Sequence, residues 1–153
     1  MDSRAEFARR FELVAITKKW APIMAKVGIR RAVAQKAFPK WHFVGFAGAA
    51  GNESRGIVDM IAIRKDHGEP RTGLKRGDVL QIVLIQVKGG TAAWPTAEDA
   101  RRLRTVKKYH HAREVLLATW KKGKAAQFFT LAPKAKLGKS DWIEVEELSR
   151  IFN

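Results

Sequence analysis

The chain has no cysteine. This excludes a disulfide framework, a thiolate zinc site and a cysteine nucleophile, and it fits a reducing compartment, so a cytoplasmic location is expected. No apolar run approaches the ~20 residues of a membrane span. The start, Met1-Asp2-Ser3-Arg4, leads into a charged helical pattern, not the apolar core of a signal peptide. A peripheral membrane role would need exposed aromatics on an amphipathic face, and the helices predicted below need those faces for a core. No phosphate-binding P-loop, dinucleotide glycine fingerprint or Ser/His/Asp order is present. Acid is scarce as well: 15 Asp and Glu stand against 30 Lys and Arg, a formal charge of +15. So much like charge repels itself in a compact state, and a polyanionic partner relieves it. Nucleic acid is the first candidate and an anionic membrane surface the second.

What is present suits one folded domain. The 153 residues, 46% of them hydrophobic, are enough for one core and too few for two ordinary ones, and no linker or internal repeat divides residues 1–153. Ser3 with Glu6 has capping-box spacing, and Phe7, Phe11, Val14 and Lys18 follow helical spacing, so a helix is predicted from Ser3 to about Gly28. Pro22 should end or kink it near Trp20, with a short second piece to Val27 and Gly28 as the stop. Arg30 to Lys40 is a basic stretch. Trp41 to Phe46 reads as a strand, Gly45, Gly48, Gly51 and Asn52 as a turn, and Gly56 to Arg64 as a strand buried on both faces. Asp66 to Gly77 is a hairpin loop. Asp78 to Lys88 is a central strand closed by Gly89-Gly90. Thr96 caps a long helix in which Leu103, Val106, Tyr109, Ala112, Leu116 and Trp120 share a face and Lys121-Lys122-Gly123-Lys124 forms the end. Strands at Ala126–Leu131 and Trp142–Val145 and a last helical turn or two from Glu146 to Phe152 complete the chain. The order implies an α/β fold, a mixed central sheet flanked by helices.

Asp59 interrupts an apolar strand, Ile57-Val58 before it and Met60-Ile61-Ala62-Ile63 after it, and a carboxylate there is costly unless paired. Gln86 and Lys88, two residues apart, share one face of the next strand. In a hairpin the three converge. A carboxylate, an amide oxygen and an ammonium suit metal-assisted phosphodiester hydrolysis: Mg²⁺ takes hard oxygen ligands, here Asp59, the Gln86 side chain and the Val87 carbonyl, while Lys88 orients water or offsets phosphate charge.

The pattern Gly56-Ile57-Val58-Asp59-Met60-Ile61-Ala62, a hairpin, then Ile85-Gln86-Val87-Lys88 resembles the PD-(D/E)XK nuclease superfamily, in particular the branch of Holliday-junction resolvases and restriction-type endonucleases. The resemblance covers about residues 3 to 131. It implies a restriction-endonuclease-like α-β-β-β-α-β core and a Mg²⁺- or Mn²⁺-dependent endonuclease acting on DNA, with Asp59 and Gln86 holding metal and Lys88 as catalytic lysine. Two positions depart from the pattern: Val58 replaces the proline, and Gln86 replaces the acidic residue before x-Lys. A neutral amide supplies oxygen but no charge; some members work with Gln there and others with eroded sites are inactive. The alternative is therefore an inactive nuclease fold that binds nucleic acid. The family often adds a glutamate from the first helix or the loop before the Asp strand, which makes Glu12 and Glu53 candidates. Members often dimerise, although no sequence feature here specifies a homodimer.

Trp94, just past Lys88-Gly89-Gly90, is a candidate for stacking on a base, or equally a plug at a core edge. Arg101, Arg104, Lys107 and Lys108 on the long helix, with Lys121 and Lys122 after it, could line a phosphate groove, although any one of them alone would be an ordinary solvated cation. His110-His111 point about 100° apart on a helix and do not make a metal pair.

Overall fold

A computed structural model describes residues 3–33, 39–46, 56–90 and 92–153, without the side chains at 11 and 13–18. The chain forms a mixed α/β structure in the order α1 (Ser3–Ala32), β1 (His42–Gly45), β2 (Met60–Lys65), β3 (Leu80–Gly89), α2 (Ala97–Tyr109), β4 (Glu114–Trp120), β5 (Gln127–Leu131), β6 (Trp142–Glu144) and α3 (Ser149–Phe152). The six strands make one open sheet in sequence order. Neighbours run antiparallel except β3 and β4, which are parallel and joined by the α2 crossover.

Alternation along the strands divides the core into two layers. On one face Met60, Ala62, Val83, Ile85, Leu116, Ala118 and Phe128 pack against Ala25 and Ile29 of α1 and Ile151 and Phe152 of α3. On the other, Leu84, Val115, Leu117, Leu131 and Trp142 pack against Ala100 and Leu103 of α2. The sheet is thus sandwiched between helices.

Three expectations are corrected. First, α1 runs through Pro22 to Ala32. The proline removes one helical hydrogen bond, but Ala21, Ala25 and Ile29, spaced by four and all buried, hold the segment on the sheet. Gly28 is consequently not a stop. A Cβ there would lie 2.8 Å from the Phe128 ring, so the glycine permits close approach of α1 to β5. Second, the Asp59 strand begins at Met60 and reaches Lys65, leaving 56–59 outside it, with a bend at 56–57. Third, the long helix stops at Tyr109, where His111 turns the chain at φ 50, a left-handed conformation that His adopts more readily than most residues. Leu116 and Trp120 belong to strand β4. Val115 to Ala118 are buried in succession because β4 has a helical layer on each face. An apolar run of this kind satisfies helical spacing by accident.

Other expectations agree with the structure. Thr96 caps α2 with a reciprocal Asp99 capping box, and residues 66–79 connect β2 to β3. Part of the basic 30–40 stretch and the glycine turn at 48–52 lie outside the described residues. No helix among the described residues is long and apolar enough to cross a membrane.

Candidate active site

The C-terminal ends of β3 and β4 and the start of β2 meet at one end of the sheet. Asp59 lies one residue before β2, yet both its flanks are tied into the ladder. The Phe46 N–H donates to its carbonyl and its own N–H donates to Ile85 O, each at 3.0 Å. Beyond Met60 the β2–β3 pairing ends, and the Asp59 side chain takes over from the backbone: Oδ2 accepts the Val87 N–H at 2.6 Å. That amide joins Gln86 to Val87 and lies one residue from Lys88. The carboxylate is therefore fixed by a charge-assisted bond to the backbone between Gln86 and Lys88.

Gln86 and Lys88 share the α2 face of β3, since Leu84 on the same alternation packs in the α2 core. Across the parallel ladder they face Leu117 and Thr119. Gln86 is 6% exposed, and its Oε1 has no hydrogen-bond partner among the described residues. The other such buried side-chain atoms among the described residues are the indole nitrogens of Trp120 and Trp142, which are donors. Gln86 Oε1 is the sole acceptor in that group. An unpaired buried acceptor costs about 1–3 kcal/mol, a cost that a ligand with a positive charge or a proton to give would remove. Lys88 is partly buried at the same end.

The remaining candidates distribute unevenly. Glu12 is exposed on α1, and Glu53 lies outside the described residues, in the segment joining Phe46 to Gly56. Among the described residues no three His, Asp or Glu side chains form a metal-binding group. Trp94, Lys121 and Lys122 are exposed at the Lys88 end, since β4 pairs Trp120 with Gly89 and the lysine turn follows directly. Lys107 and Lys108 lie at the far end of α2, ~15–17 Å away by helical rise. There they line a groove with Arg104 and His111.

Some of these cations have protein partners that sequence reasoning missed. Arg104 donates to Ala132 O at 2.9 Å and to Asp141 Oδ1 at 2.7 Å, which fastens α2 to the β5–β6 connection. Lys107 sits 3.7 Å from Glu114. Arg101 forms a forked pair with Glu98 one turn back; that hydrogen bond holds the Glu98 carboxyl below its usual range and raises the Arg101 guanidinium. The i,i+3 spacing of Glu98 and Arg101 was the available signal for that pair. No sequence pattern announced Asp141 as partner to Arg104.

No protein-family model, curated protein or solved structure matches this chain.

Proposed function

We propose that this protein is a Mg²⁺- or Mn²⁺-dependent endonuclease that hydrolyses DNA phosphodiester bonds at the Asp59–Gln86–Lys88 end of the sheet. The observation that carries the reading is the buried Gln86 Oε1, without a partner among the described residues, on the strand that anchors the Asp59 carboxylate. The order α1-β1-β2-β3-α2-β4, with Asp entering β2 and Gln-x-Lys leaving β3, supports a restriction-endonuclease-like core. The +15 charge supports a nucleic-acid partner.

The donor set fits a hard divalent cation, which prefers oxygen ligands and keeps several waters. Such an ion, when bound, polarises the phosphate and makes a bound water a better nucleophile. The chain's own residues do the rest. The Val87 N–H holds the Asp59 carboxylate in place through Oδ2. Gln86 offers an oxygen already stripped of water, so little reorganises when it binds. The Val87 carbonyl would supply a further oxygen ligand. The Lys88 ammonium orients the attacking water and offsets the charge on the pentacovalent phosphate.

Incubation of the purified protein with supercoiled and branched DNA and Mn²⁺ tests the proposal. Cleavage is expected, and Lys88→Ala should reduce it by about 10²–10³-fold. Absence of cleavage, or cleavage indifferent to Lys88→Ala, would overturn it. The neutrality of Gln86 favours a second reading, a DNA-binding protein with the same fold and no turnover. Gln86→Glu separates the two: tighter Mn²⁺ binding with activity gained from none marks an eroded site.

A further inference from the structure

The Lys88 end of the sheet carries an aromatic surface that hydrolysis alone does not require. Beyond β3, Gly90 takes a left-handed φ of 57 and donates its N–H to Trp120 O at 2.8 Å. The Ala92 N–H returns to Gly89 O at 3.0 Å, and Pro95 is buried just before α2. Trp94, between these fixed points, keeps 48% of its surface open. Its ring meets Phe129 edge-on, with centroids 5.0 Å apart and planes at 86°. The ring is therefore braced by Phe129 while about half of its surface remains open, an arrangement that seals little core.

The adjoining turn is basic, while Glu98 and Asp99 stand in the first turn of α2 on the other side of the loop. The turn holding Lys121, Lys122 and Lys124 is tied to the Trp94 loop through the Gly90–Trp120 bond, and all three lysines are exposed. From Val115 to Ser140 the sequence has six lysines and no Asp or Glu. A braced indole bordered by cations is the arrangement that holds single-stranded nucleic acid: the base stacks on the ring and the phosphates meet the lysines. In a continuous duplex each base is already covered by its neighbours and offers the ring no face.

We infer that Trp94 is a stacking platform for an unpaired base, so that the site takes DNA with unpaired nucleotides beside the scissile phosphate in preference to continuous duplex. The position of the scissile phosphate rests on the nuclease reading; the stacking itself does not.

The test uses the full chain without divalent metal, so that binding is read apart from cleavage. Fluorescence anisotropy compares a labelled continuous duplex with the same duplex carrying a short unpaired loop. The protein should bind the looped DNA about tenfold more tightly. Trp94→Ala should erase that preference and change duplex affinity by less than about twofold, and Trp94→Phe should keep most of it. 2-Aminopurine in the loop should be quenched by the wild type and not by Trp94→Ala. Equal affinity for the two DNAs, or equal weakening of both by Trp94→Ala, would overturn the inference. Loop preference without cleavage would sink the nuclease reading and leave the platform; cleavage without loop preference would do the reverse.

Discussion

Two buried polar side chains among the described residues, Arg64 and Gln86, sit toward opposite ends and on opposite faces of the sheet. Arg64, 8% exposed, is fully engaged. Its Nε donates to Gln81 Oε1 at 2.8 Å, its Nη1 to Pro39 O at 3.4 Å and its Nη2 to Asn153 O, and its guanidinium lies 4.3 Å from the Trp41 ring centroid. Burial, then the nearby Arg113, lowers its pKa, while Asp66 opposes the shift. Trp41 in turn donates to Phe152 O at 3.0 Å, and Arg113 to Asn153 Oδ1 at 2.9 Å. Every one of these partners ties a chain segment down. Gln86 is equally buried, yet its oxygen has no hydrogen-bond partner among the described residues. A polar group that closes a structure is saturated from within. One left open costs stability and points to a ligand from outside.

Gln86→Leu tests this contrast most severely. If its oxygen serves a ligand, cleavage should fall by at least about 10²-fold, while the urea midpoint stays level or rises because an unpaired acceptor has been removed. A loss of more than about 1 kcal/mol in stability would instead place Gln86 beside Arg64 as a structural group. The reciprocal change, Arg64→Met, should cost about 2–3 kcal/mol by orphaning several acceptors at once. Cleavage per folded molecule should be unaffected; a parallel loss would mean that the two ends are coupled. Asp59→Asn is milder, because an amide oxygen still accepts the Val87 N–H. Mn²⁺ affinity, read by titration calorimetry, should fall about tenfold or more, since the charge that attracts the ion is lost. The smallest effect concerns the cations. Removing Lys121 and Lys122 together should lower the salt-dependence slope of DNA binding by about 1.4–1.8, and removing Lys107 and Lys108 should change it less. Equal slopes would mean that the far end of α2 contacts DNA as much as the Lys88 end.

Much of this contrast was legible in the sequence, and the reasons are local. Asp59 was conspicuous because a carboxylate in an apolar run is costly, and Gln86 and Lys88 were joined by strand periodicity. The Thr96 cap was readable from residues within one helical turn. Strand β4 was not, because Leu116 and Trp120 fit helical spacing, and only the helical layers on both faces decide for a strand. The helix end at His110-His111 carries no glycine or proline to mark it. Arg64 escaped notice altogether. Its partners lie 17, 25 and 89 residues away in sequence, and no local pattern reports such contacts. Local chemistry therefore disclosed the open end of the sheet, while the closed end emerged only from tertiary packing.

The sequential order of the six strands bears on how the chain reaches this state. Each strand finds its neighbour among residues just before or after it, so most pairing closes short loops and meets little entropic resistance. β3 and β4 are the exception, because α2 must be laid across the sheet before they can align. The same step sets the lysine turn beside Gln86 and Lys88. The slowest assembly event should therefore be the docking of β4 on β3, and an emerging chain would hold half of its strands before the lysine turn reached the Gln86 end.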